Sequence, residues 1–292
     1  MKLLRALLFV VLTLLAITPA EAQIGVQISL KRRLFIAHEP VIATVTLTNT
    51  SGRELALEDT PQLQWFGFQI NGTGESIVPP RNPDYGLDSV VMQPGETVRK
   101  SVNLNELYAL GDLGALKVRA TIYLATAKRY FTSRPVQIEI TEGRVLSRQA
   151  AGVPEGLVNS GSIHMFTLLT HFQDEGRILY VRIQDRDDGR VFGTYPLGRL
   201  IDGAPPQAEF DTANNLYILH LIGKQAWVLT KIGVNGEFMG QTSYNAAKSR
   251  PTLRKLADGK LQIVGGRKEA PIAQVPTAPP VKLSDRPPGL PR

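Results

Sequence analysis

The sequence predicts an all-β protein in two parts, and three observations predict it. Apolar and polar residues alternate with period two in several stretches between Ile24 and Thr141, as in strands with one buried and one wet face. Turn-forming pairs such as Ser51-Gly52 and Pro94-Gly95 separate these stretches. Beyond Ser162 the pattern changes to paired apolar runs joined by Asp-Gly and Asn-Gly turns, which suit tight hairpins.

Met1 to Ala22 precedes both parts. Lys2 and Arg5 open it, Leu7 to Ile17 form an apolar run, and Ala20-Glu21-Ala22 offers small residues for cleavage. This is the pattern of a secretory signal, with an apolar run too short for a permanent span. It predicts an exported protein, periplasmic or extracellular, whose mature chain starts at Gln23 and has no transmembrane span. The chain contains no cysteine, which excludes disulfides, thiolate metal sites, thiol nucleophiles and a cysteine-linked lipid anchor. Hydrophobic burial must then stabilise each part. The 33 basic and 26 acidic residues give a net charge of +7. No run of five Lys or Arg occurs and no basic stretch is interleaved with aromatics, so nucleic acid is not an expected partner.

In the first part, Val26, Ile28 and Leu30 alternate with Gln27 and Ser29, and Val41, Ala43, Val45 and Leu47 alternate with threonines. The same pattern runs through Leu116 to Leu124 and Val136 to Ile140. An aromatic strand at Leu63 to Ile70, a strand at Thr97 to Leu104 and a short one at Glu54 to Leu57 bring the expected number to about seven, the expectation for an immunoglobulin-like sandwich. The segments FIAHEPVIATVTLTNTSGRELAL and QPGETVRKSVNLNELYALGDLGALKVRATIYL also resemble the immunoglobulin-like domains of bacterial surface and periplasmic proteins, including proteinase-inhibitor-like and peptidase-associated sandwiches. The resemblance implies that the turn at Leu104 to Leu110 plugs one end of the sandwich. Tyr108 would cap the core there, its hydroxyl paired at the rim.

Glu142 to Ser162, with five glycines or prolines and no periodicity, reads as a linker or a surface loop. The second part, 163–266, centres on Asn214 to Tyr244. Leu216 to Ile222 and Ala226 to Ile232 are apolar on both parities, so both faces should be covered. Glu237 to Tyr244, more polar and broken by Gly240, reads as an edge strand. Leu179-Tyr180-Val181 and Asp188-Gly189 match Ala226-Trp227-Val228 and Asn235-Gly236 at an offset of 47 residues (235 − 188). A further hairpin follows at Thr252 to Val264. Such a period fits a propeller blade, or equally a single meandering sheet or small sandwich of hairpins. The repeats resemble NHL-type and related propeller repeats of secreted bacterial proteins, which implies propeller-like antiparallel hairpins here. An open repeat sheet of this kind is a possible oligomer contact. Residues 267–292, rich in proline, read as a disordered tail.

No catalytic motif stands out, and no cofactor or metal is expected. His38 precedes Glu39-Pro40 without a second histidine four residues on, which rules out the zinc-helix spacing. His164 and His171 have an odd separation that points their side chains to opposite faces of a strand. His220, in an apolar strand, reads as a satisfied core residue. Asp185, Asp187 and Asp188 lack the later ligands of a calcium loop and read as a hairpin turn. Asn49 and Asn71 fit the glycosylation pattern but read as turn residues. Trp65 lies on the opposite parity from Phe66 and Phe68, so one set should face outward or toward the second part. An exposed Trp65 together with Tyr85 forms the candidate binding surface; alternatively, Trp65 packs under the loop Pro79 to Tyr85. The expectation is an exported, non-catalytic binding or structural module of the bacterial envelope, contacting a protein or glycan partner through sheet-end loops. Two other classes stand beside it: an inhibitor of secreted peptidases, implied by the resemblance of the first part, and a hydrolase with an unrecognised site.

Overall fold

The structure is a computed structural model that describes residues 24–81, 86–174 and 176–269. It is all-β, with 56% strand and 4% helix arranged in several sheets. The leader, Tyr85 and residues 270–292 lie outside the described residues. The chain forms two compact units that are interleaved in sequence. Residues 34–41 and 110–114 belong with the C-terminal residues and not with their sequence neighbours.

In the first unit, β1 (Ile24–Leu30) and β7 (Thr97–Asn103) flank β3 (Ile42–Asn49) in an antiparallel sheet. The alternation of β3 explains its place: Ala43, Val45 and Leu47 are fully buried, while the threonines between them reach the wetter face. A second antiparallel group has β8 (Gly114–Leu124) between β5 (Phe66–Asn71) and β9 (Arg129–Thr132). Val118, Ala120, Ile122 and Leu124 supply its buried face. Two short strands, β4 (Leu55–Leu57) and β6 (Val90–Met92), pair with each other. Among the described residues from Ile24 to Thr141 there are ten strands, not about seven. The additional strands are three or four residues long and too short to show a period.

Asn49 lies buried at the end of β3, its amide donating to the carbonyls of Arg53 (2.7 Å) and Met92 (3.0 Å). Its Oδ1 accepts from the Ser51 N–H at 2.9 Å. It is therefore a turn organiser. A one-turn helix, α1 (Leu104–Leu107), is capped by the Asn103 side chain. Tyr108 follows, and its hydroxyl donates to the Phe68 carbonyl at 2.8 Å and accepts from the Phe68 N–H at 3.1 Å.

In the second unit, β2 (Leu34–Ile36) runs parallel to the end of β10 (Val136–Thr141), pairing with Glu139–Thr141. An antiparallel sheet follows in the order β11 (Arg144–Gly152), β12 (Ile163–Gln173), β13 (Gly176–Asp185), β14 (Val191–Arg199). A second has the order β15 (Gln207–Phe210), β16 (Leu216–Leu221), β17 (Ala226–Ile232), β18 (Phe238–Asn245), β21 (Arg267–Lys268). A separate hairpin joins β19 (Thr252–Lys255) to β20 (Leu261–Val264).

The two matched sequence segments occupy the third strand of each sheet. In both, a bulge omits one residue of the fourth strand, Phe192 in the first and Met239 in the second, at the same sequence offset as the turns. Phe166, Leu179, Val181 and Ile183 of the first sheet form one core with Leu216, Ile218 and Ile232 of the second. The outer face of the first sheet packs Leu169, Ile178 and Tyr180 against Ile36. Arg182 ties the same segment, donating to the Ala37 carbonyl at 2.9 Å and to Glu142 at 3.1 Å.

Three expectations are corrected. Arg144–Gly152 is a strand and not a linker. It lies at the edge of its sheet with most side chains exposed, so pairing with β12 holds it extended with no apolar alternation needed. Glu237 to Tyr244 is only partly an edge, because Tyr244 and Asn245 of β18 pair with Lys268 and Arg267. Those two residues accordingly belong to the sheet and not to the tail.

Candidate binding cleft

The sheet formed by β16, β17, β18 and β21 has two different faces, and the strand register sorts the side chains between them. On one face, Tyr217 lies opposite Lys231, Leu219 opposite Leu229, and Leu221 opposite Trp227. Trp227 lies opposite Tyr244 on β18, and Tyr244 opposite Lys268 on β21. Because side chains alternate along a strand, these residues share a single face. The β19–β20 hairpin covers part of it with Leu253, Leu261 and Ile263.

What remains between sheet and hairpin is an open cleft of about 450 Å³, lined by Tyr217, Leu229, Tyr244, Leu253, Leu261, Ile263 and Lys268 among others. That volume lies within the range of about 300–1,000 Å³ typical of small-molecule sites. Two devices place the hairpin. The Leu253 N–H donates to the Gln207 side chain at 2.8 Å. Gly265 and Gly266, both at positive φ, reverse the chain from β20 into β21, and a Cβ at Gly265 would lie 2.6 Å from the Arg250 carbonyl oxygen. Only glycine fits this close approach in that conformation.

Lys268 lines the cleft, and other cations sit on aromatic rings of the same sheet face. The Lys231 ammonium sits 5.0 Å from the Tyr217 ring centroid and 3.8 Å from the Asp211 carboxylate. The Arg250 guanidinium lies 4.8 Å above the Trp227 ring, within cation–π range. From Asn245 to Glu269 the chain carries Lys248, Arg250, Arg254, Lys255, Lys260, Arg267 and Lys268 against only Asp258 and Glu269. Of these cations, Lys260 alone forms an ion pair among the described residues, with Asp258 at 3.1 Å. Burial pushes the Tyr244 hydroxyl above its ordinary pKa, so at neutral pH it remains a protonated donor.

The residues singled out from the sequence lie elsewhere. Trp65 is fully buried, its Nε1 donating to the Leu87 carbonyl at 3.1 Å and its ring edge-on to Phe66 at 5.4 Å. It cannot serve as an exposed binding surface in this conformation. Trp65, Phe66 and Phe68 are all buried, so neither aromatic set is exposed. Asp185 accepts from the backbone N–H groups of Asp187 (2.7 Å) and Asp188 (3.2 Å), and these bonds hold its carboxyl below the ordinary range. This is the hairpin turn that the sequence suggests. Among the described residues no cluster of His, Cys, Asp or Glu could hold a metal ion.

His164 contacts the Val234 carbonyl at 2.8 Å and lies 3.9 Å from Asp185. His220 is fully buried, and neither ring nitrogen has a hydrogen-bond partner. It is thus a core histidine but not a satisfied one, and burial lowers its pKa to about 4. Gln241, on the same inward face, bonds Thr230 Oγ1 and the Leu197 carbonyl, both at 3.0 Å.

Sequence reading missed the cleft residues. The usable signal was the odd-numbered set Tyr217, Leu219 and Leu221 facing Trp227, Leu229 and Lys231, but which element covers that face is set by tertiary packing. No helix among the described residues is long and apolar enough to cross a membrane. No known protein family, curated protein or solved structure matches the chain.

Proposed function

We propose that the chain is an exported, non-catalytic binding module of the bacterial envelope. In this reading an immunoglobulin-like sandwich is joined to propeller-like sheets and a final hairpin, and the ligand enters the cleft beneath that hairpin. The single observation supporting it is the cleft lining, which mixes Leu229, Leu253, Leu261 and Ile263 with the polar groups of Tyr217, Tyr244, Gln262 and Lys268. Small-molecule sites combine apolar area for affinity with a few polar groups for orientation. This moves the expected contact from sheet-end loops to the face of the second sheet.

The test uses the whole chain, because residues 34–41 and 110–114 belong to the C-terminal unit and would be lost from a fragment beginning after the first unit. The immobilised chain and a Leu261→Arg variant, which places a long charged side chain in the cleft, are exposed to envelope extract. A component retained by the wild type and lost by the variant supports the reading. Identical retention by both would place binding elsewhere.

A further inference from the structure

We infer that the outward face of β5, β8 and β9 in the first unit docks an extended acidic glycan, a chain of sugars bearing uronate carboxylates. The inference does not rest on the cleft and uses none of its residues. Strand register defines the face. Gly67 and Gln69 of β5 lie opposite Thr121 and Arg119 of β8, with Lys117 opposite Asn71 beyond them. On the other side of β8, Thr132 and Tyr130 of β9 lie opposite Thr121 and Tyr123. The intervening Val118, Ala120 and Ile122 are fully buried, so this set points away from the core.

Gly67 is the feature that the fold does not require. Glycine inside a strand weakens it, and here nothing intramolecular offsets that. Its φ lies outside the left-handed region, so an L-residue can stand there. A Cβ would meet only the Thr121 hydroxyl oxygen, at 3.4 Å, an ordinary contact. The glycine leaves a bare stretch of backbone in the middle of the face, as suits a ligand lying close against a sheet.

The groups on either side of this gap specify the ligand. Toward one end, Tyr123 and Tyr130 pair across the strands with ring centroids 5.0 Å apart, and Tyr130 is 52% exposed. The guanidinium of the adjacent Arg129 sits over Phe131 and not over these tyrosines. An exposed tyrosine presents an apolar ring and a polar rim, which match the C–H face and the hydroxyls of a sugar. Toward the other end stand Arg119 and Lys117, both exposed and in no ion pair among the described residues. No outward position of these three strands carries a carboxylate, so the face attracts anions. The Arg119 fork can take a carboxylate through two hydrogen bonds. Gln69 and the threonine hydroxyls supply donors and acceptors for sugar hydroxyls between the two ends.

Other anionic partners fit less well. An acidic peptide gains most by extending a free strand edge, whereas β8 is already paired on both sides. A peptide laid across the face would leave its own backbone groups without ladder partners. An anionic bilayer calls for protruding apolar side chains that enter the lipid, and the outward set offers only the two tyrosines.

The test is calorimetric titration of the full chain with oligogalacturonate, a neutral malto-oligosaccharide of equal length, polyglutamate, and phosphatidylglycerol vesicles. Oligogalacturonate should bind more tightly than the other three, and its binding should weaken as salt is raised. Arg119→Glu should weaken it by about tenfold and Tyr130→Ala by roughly fivefold, with near-ultraviolet circular dichroism otherwise consistent with a folded chain. Gly67→Thr separates a docking role from a structural one. It should leave the urea midpoint unchanged or raised, because threonine suits a strand better, and yet weaken oligogalacturonate binding. Leu261→Arg should leave that binding as it is.

Equal or tighter binding of the neutral sugar, polyglutamate or vesicles would overturn the inference, as would indifference to Arg119→Glu or Tyr130→Ala, or no binding of oligogalacturonate. A lowered urea midpoint for Gly67→Thr would also overturn it, by showing that the fold itself needs the glycine. The cleft reading stands or falls separately, on the envelope experiment with Leu261→Arg.

Discussion

His164 Nδ1 lies 2.8 Å from the carbonyl oxygen of Val234. A fully buried side chain from the second strand of one sheet thereby holds the turn that closes the last hairpin of the other. The ring also packs 4.3 Å from that of Phe192. His164→Ala removes this tie and leaves a buried carbonyl without its partner, which costs about 1–3 kcal/mol beyond the packing lost. Urea denaturation should show a lower midpoint with an unchanged slope. An unchanged midpoint would mean that the turn is held by its neighbours alone.

His220 gives the fold a pH dependence of definite sign. Its pKa falls from 6.5 to about 4 because burial opposes the charged ring. Between those values the unfolded chain binds more protons than the folded one, so stability is complete above about pH 6.5 and falls as the pH drops toward 4. The loss from this residue is about 3 kcal/mol. His220→Leu should flatten that part of the profile in urea midpoints taken from pH 7 to pH 4. Parallel profiles for variant and wild type would contradict it. Asp185 acts in a lower window: its carboxyl is held down by the Asp187 and Asp188 N–H groups, so its contribution is lost only as the pH falls below the ordinary carboxylate range.

Tyr108→Phe tests the tie between the turn after α1 and β5. The hydroxyl serves both backbone groups of Phe68, on the side of β5 away from its partner strand β8. Removing it orphans a buried donor and a buried acceptor, and about 1–3 kcal/mol of stability should go. Hydrogen exchange at the Phe68 amide should quicken well beyond the change at Ala120. Equal changes at both sites would show a global effect and not a local one.

Much of this architecture was legible in the residues. Ala43, Val45 and Leu47, and Val118 through Leu124, mark their buried faces by strict alternation, and each lies on a strand paired along its length. The Asn235-Gly236 and Asp188-Gly189 turns fall where their backbone preference puts them. Strand β11 was not legible, because RVLSRQAAG carries no period and becomes a strand only by pairing with Ile163–Thr170. For Trp65 the residues left two readings, exposed or packed, and the burial of its ring decides for packing. The cleft was least visible. Tyr217 and Lys268 are 51 positions apart (268 − 217), and they line one cleft only because a two-residue strand, placed by a double-glycine reversal, returns to the sheet.

The bond from Arg182 to the Ala37 carbonyl joins residues 145 positions apart, and it bears on the order of assembly. A polypeptide leaving the ribosome or a translocation pore amino end first delivers Ala37 long before Arg182. Closing so large a loop is entropically costly and therefore slow. Until β13 arrives, Ile36 must wait without the cover of Ile178 and Tyr180, a transient apolar exposure that a chaperone is suited to shield.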